Sequence, residues 1–280
     1  MTAQRRIEVE IDVPATPDQA WEAIATGPGI TAWFMPAEVE GHVGGSVVHH
    51  HETDMETAGT VIAYDAPHRF AYEEAGWMPD GAEAAHVTAT EFLVEARSGG
   101  TCVVRVVMSG FGDGETWDRA IESFEAGWKQ ALLGLQVYLT HFRGEPVATI
   151  NAVGTAGGAA DDAWSELTGA LGVPAEPQQG DRIATSAPGV PAFAGTVEAV
   201  GDRMVTLVLD EPARGMGFVG AGGPGAQVYL FVRAQLFGDD AAEVAAREQE
   251  AWTAWLGERA ASAAGARAGA AGGAAGSPGA

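Results

Sequence analysis

Along the first half of the chain, apolar and polar positions follow two periods. Ile7, Val9, Ile11 and Val13 alternate with Glu8, Glu10 and Asp12, the period-two pattern of a strand with one buried face. Pro14 ends it. Thr16 then stands as an N-cap with Pro17 at the first helical position, and Ala20, Trp21, Ile24 and Ala25 recur at helical spacing until Gly27-Pro28-Gly29. Further strands are predicted from Gly44-Gly45 through Val47 to His51, and from Gly59 to Tyr64 and Arg69 to Glu73 around Asp65-Ala66-Pro67. Another two, Val87 to Ala96 and Thr101 to Ser109, pair across Ser98-Gly99-Gly100. Trp117, Ile121, Phe124, Trp128, Ala131, Leu135, Leu139 and Phe142 then step by three and four, which predicts a long helix over 116–142 with one apolar face. Only a broad surface can bury that stripe, so the economical class is α+β, a curved antiparallel sheet against a long C-terminal helix.

After Gly144 the same order returns in shortened form. Val147 to Val153 alternates, DDAWSEL (Asp161 to Leu167) parallels PDQAWEAI (Pro17 to Ile24), and AGTVEAV (Ala194 to Val200) echoes AGTVIAY (Ala58 to Tyr64). Gln227 to Phe237 reads as a strand and Ala241 to Trp255 as a closing helix. This predicts a degenerate tandem duplication: a first domain over 1–145, a shortened second over 146–259, and a disordered Ala/Gly-rich tail over 260–280.

Composition narrows the partners. With 15 Lys+Arg against 38 Asp+Glu, the formal charge of −23 repels phosphate backbones and anionic lipid surfaces, so neither nucleic acid nor a membrane is an expected partner. Lys129 is the only lysine, and Cys102 the only cysteine, which excludes an intrachain disulfide and any multi-cysteine metal centre. That cysteine usage, an N-terminus without a signal-peptide pattern and the lack of a stretch of ~18 apolar residues lead to a cytoplasmic expectation.

The ordered motifs of the first half resemble the START-like (SRPBCC) superfamily and, within it, the activator-of-heat-shock-ATPase homologue family. They are EVEIDVPATPDQAWEAIA (Glu8 to Ala25), AWFMP (Ala32 to Pro36), GGSV (Gly44 to Val47), GTVIAYDAPHRFAYE (Gly59 to Glu73), GGTCVVRVVMSGF (Gly99 to Phe111) and Gly127-Trp128. The resemblance covers roughly residues 6 to 143. It implies a helix-grip fold, in which the sheet curls around the long helix and leaves a cavity. The second half is similar but lacks clear counterparts of the tryptophan-phenylalanine segment and of the glycine-pair strand, which argues against a competent second cavity.

Strand alternation puts Phe70, Tyr72 and Glu74 on one face and Val104, Val106 and Met108 on another strand's face. With Trp33, Phe34, Met35, Trp77, Phe111, Trp117, Phe124 and Trp128 they form an aromatic-rich set able to line an apolar pocket or fill a core. Met108 stands where relatives often carry a histidine, so Glu74 is the remaining ionisable candidate for acid–base work, or else a strand-end carboxylate in water. His49-His50-His51 is the conspicuous polar run: His49 and His51 share a face and could offer a weak metal site with an acidic neighbour, though a solvated strand end explains them as well. GMGFVG (Gly215 to Gly220) matches G-x-G-x-x-G but leads toward a strand rather than a helix, and is read as a flexible hairpin loop. No cofactor is implied. The expected function is binding of a small hydrophobic or aromatic ligand by the first domain, with a polyketide-cyclase-like enzyme or a co-chaperone of a heat-shock ATPase as alternatives.

Overall fold

The computed structural model describes residues 5–50, 56–75, 87–222 and 228–273, with 260–273 by backbone alone. The chain divides into two units, Met1–Glu145 and Pro146–Ala280. In the first, the alternating N-terminal segment forms β1 (Arg6–Val13), followed by α1 (Pro17–Ala25) and α2 (Gly27–Thr31). Thr16 and Gln19 cap α1 reciprocally, each side chain taking the other's backbone N–H. The Gly-Pro-Gly that was expected to end the helical stretch instead opens α2, capped by Thr26. The two helices meet so closely that a Cβ on Gly29 would stand 2.0 Å from the Glu22 carbonyl oxygen, so only glycine fits there.

Strands β2 (Ala37–Val39), β3 (Ser46–His50), β4 (Glu56–Asp65), β5 (Arg69–Ala75), β6 (Val87–Ala96) and β7 (Cys102–Ser109) precede the long α3 (Glu115–His141). All pairings are antiparallel, and the sheet runs β1-β7-β6-β5-β4-β3-β2. Within this unit's described residues, β2 is the strand that the apolar pattern does not announce. Helix α3 lies against β1 and buries Trp117, Trp128, Leu135 and Leu139 of the stripe read from its periodicity, together with Leu132, whereas Ile121, Phe124 and Ala131 keep partial exposure. This is the helix-grip fold.

The second unit has the same order: β8 (Val147–Ala156), α4 (Ala160–Leu171), β9 (Arg182–Ala184), β10 (Ala194–Gly201), β11 (Met204–Glu211), β12 (Gly215–Gly222), β13 (Val228–Phe237) and α5 (Ala241–Gly273). Its sheet runs β8-β13-β12-β11-β10-β9, the sequence of the first without its last edge strand. The repeated AGTV segments occupy equivalent strands, β4 and β10. Three sequence expectations change here. The glycine-pair strand does have a counterpart, the three-residue β9. GMGFVG is no loop: it lies in β12, between β11 and β13, and two of its glycines make room for rings. A Cβ on Gly217 would come 2.5 Å from the Phe193 ring, and one on Gly220 2.2 Å from that of Phe231. The backbone of α5 also runs past the Ala260 boundary to Gly273, because alanine, poor at filling a core, is the best helix former.

Candidate functional site

In the first unit, alternation gives β3, β4, β5 and β6 an inner face whose side chains are set by the strand register. His49 stands opposite Thr57, Gly59 opposite Glu74, Tyr72 opposite Thr90, and Phe70 opposite Phe92. Toward β6 this face is aromatic: Phe70 and Phe92 stack at 6.2 Å between ring centroids, and Phe92 meets Trp128 of α3 edge-on at 5.6 Å. Phe34, between α2 and β2, stacks on Trp128 at 5.4 Å and on Trp33 at 5.5 Å. Trp33 is tied down by donating its indole N–H to the Ala23 carbonyl at 2.9 Å.

Toward β3 the same face turns polar. Gly59 has no side chain, and a Cβ there would approach the Glu74 Cγ to 2.8 Å. The Glu74 carboxylate therefore lies across this gap: its Oε1 accepts from the Thr57 hydroxyl at 3.0 Å and sits 3.2 Å from His49 Nδ1. His49 is buried, at 4% exposure, between the rings of Tyr72 at 5.5 Å and Phe34 at 6.2 Å. Tyr72 is buried too. Burial, and next the Glu74 charge, push its phenol far above the usual range, against a hydrogen bond with Thr90. Burial, followed by the charge of Asp12, likewise raises the Cys102 thiol, which is fully enclosed on β7.

The sequence-derived residues thus divide. Trp33, Phe70, Tyr72, Met108, Trp117 and Trp128 are buried, whereas Phe34, Met35, Phe111 and Phe124 keep partial exposure. Phe111 and Phe124 contact each other at 5.9 Å, and Phe111 contacts Trp117 at the same distance, near the start of α3. Trp77 and His51 lie outside the described residues. Glu74 is a partly buried partner of His49 rather than a strand-end carboxylate in water. His50 points to the other face, where it pairs with Glu56 at 2.9 Å and Glu38 at 3.5 Å. Among the described residues no group of three or more His, Cys, Asp or Glu is placed to hold a metal ion. Sequence reasoning missed Phe92, Thr57 and Thr90. Phe92 and Thr90 were within reach, since both fall on the buried phase of the Val87–Ala96 alternation.

The second unit carries the same framework with different contents. Aligning AGTV on AGTV, the register places Leu209 where Glu74 stands, Leu207 for Tyr72, Gly217 for Thr90 and Phe193 for Thr57. Phe193 is buried and meets Trp252 of α5 edge-on at 5.6 Å. At this end of its inner face the second unit thus carries buried apolar side chains where the first carries polar ones.

Residues 14–140 match the family model described as activator of Hsp90 ATPase homolog 1-like protein. That match spans most of the first unit. No curated protein matches the chain. Solved structures similar to it include a Mesorhizobium loti protein at 22% identity, covering 49% of this chain and 98% of its own, with a TM-score of 0.44. The Aha1 dimer from Colwellia psychrerythraea is 20% identical over 50% of this chain and 99% of its own, with a TM-score of 0.41. BexL, a di-domain ARO/CYC protein of the BE-7585A biosynthetic pathway, is 14% identical over 87% of this chain and 92% of its own, with a TM-score of 0.45.

Proposed function

We propose that the first unit of this AHSA1-like chain binds a small, largely aromatic molecule between the inner face of its sheet and α3. In this reading the flat rings of Phe34, Phe92 and Trp128 pack against the ligand body, and the His49–Glu74–Tyr72 cluster receives a polar substituent. The observation that supports it is the cluster itself. Burying ionisable groups in an apolar core carries a desolvation cost that pairing with one another offsets only in part, and the duplicated framework does without them. Phe34, Met35, Phe111 and Phe124, which keep partial exposure, supply the apolar approach.

The test is calorimetric titration with 2-naphthol, a flat bicycle bearing one hydroxyl, in parallel with naphthalene. One saturable site per chain is expected, with 2-naphthol preferred, and F193A should leave that site unchanged because Phe193 belongs to the filled second unit. No saturable binding, or a second site lost in F193A, would overturn the reading. Native mass spectrometry of protein purified from its own host would identify the natural ligand. The family description favours a second reading, stimulation of a heat-shock ATPase. An ATPase assay with the cognate chaperone, with and without this protein, decides it.

A further inference from the structure

We propose that His49 is a general base whose Nε2 removes a proton from a weakly acidic C–H or O–H group of the bound ligand, with Glu74 as its positioning residue. The substrate class is an aromatic ketone or phenol. The inference rests on the binding reading above and adds a chemical step to it.

The geometry sets the tautomer. An ionised carboxylate can only accept, so the contact from Glu74 Oε1 to His49 Nδ1 at 3.2 Å requires the Nδ1 proton. In the neutral ring the lone pair then lies on Nε2, which has no hydrogen-bond partner among the described residues. Thr57 donates to the same carboxylate oxygen and holds it in place. The carboxylate also stabilises the imidazolium that proton uptake creates. The titratable groups facing His49 are Glu74 and Tyr72, both from β5. His50 and Glu56 pair on the opposite face, and Phe34 adds only a ring.

For a ketone the step balances without an outside reagent. The proton on the carbon next to the carbonyl passes to Nε2, its electron pair becomes the carbon–carbon π bond, and the carbonyl π pair moves to oxygen. The Tyr72 hydroxyl, held neutral by burial, is the hydrogen-bond donor suited to that oxygen. Return of the proton from Nε2 to carbon completes an enolisation or isomerisation and restores the base. The second unit has Leu209, Leu207 and Phe193 at the positions of Glu74, Tyr72 and Thr57 and keeps the same strand order, so the fold itself does not require these polar groups.

The experiment uses the full chain and 5-nitrobenzisoxazole. A base takes its ring C–H proton, the N–O bond breaks, and a coloured cyanophenolate is released. The wild type should show saturation kinetics and about 10²-fold acceleration over free imidazole at equal concentration. H49Q should lose kcat to background with KM kept, and E74Q should lower kcat about tenfold, also with KM kept. Absence of saturation overturns the binding reading along with this one. Saturation without acceleration, or acceleration that survives in H49Q, overturns the base alone. The wild type supplies a check that needs no variant, because ¹⁵N shifts should report the Nδ1–H tautomer for His49, and the Nε2–H tautomer would refute the assignment.

Discussion

Tyr72 and Cys102 are both held in their protonated forms, and this has a consequence for stability. In the unfolded chain the thiol ionises around pH 9 and the phenol around pH 10, while in the folded unit burial keeps both protons on. Their contribution is therefore fully present below those values and is lost progressively as pH rises above them toward the higher folded values, because over that range only the unfolded state releases its protons. The urea midpoint should fall between pH 8 and pH 10.5, and Y72F should show a smaller fall. At this scale Glu74 also shows what one missing side chain does: the glycine opposite it opens the path by which its carboxylate reaches β3.

Among the elements, α3 holds the first unit together through one face. Trp128 touches Phe34 and Phe92 and is 8% exposed, so W128A removes a ring that the sheet and the α2–β2 segment both pack on. The expected cost is about 3–5 kcal/mol, read from chemical denaturation of the full chain. A cost near 1 kcal/mol would mean that the neighbouring rings close over the gap. Strand β12 makes the opposite use of packing. Its glycines leave space for rings supplied by other elements, so the residues that look like a loop in sequence are the ones that admit Phe193 and Phe231.

The whole chain is strongly acidic, and its duplicated frameworks differ in what they enclose. A formal charge of −23 opposes association with any polyanion. In gel-shift assays at physiological salt, neither DNA nor RNA should be retarded; retardation that weakens steeply with added salt would contradict this. Among the described residues no helix is long and apolar enough to cross a membrane. The two inner faces differ at one end: the first carries buried polar groups where the second carries leucine and phenylalanine, and apolar side chains there avoid the cost of desolvating polar ones.

The sequence by itself determined the elements whose burial is periodic. Alternation in β1, β6 and β7, the three-and-four spacing of α3, and the Thr16-Pro17 start of α1 are local signals, and each survives in the structure because the core rewards the same face throughout. The duplication was legible for the same reason, through AGTV and the tryptophan-bearing helices. Tertiary structure alone decided the rest. The Gly27-Pro28-Gly29 stop became a second helix because α1 offers a close surface, and GMGFVG became a strand because Phe193 and Phe231 fill what its glycines lack. The His49–Glu74 pair was beyond sequence reasoning: its members lie 25 residues apart on strands that are not neighbours, and their meeting depends on two registers and on the missing side chain of Gly59 between them. Periodicity reports which face a residue takes, whereas the partner across a sheet is set by how strands pair, and only the folded chain contains that information.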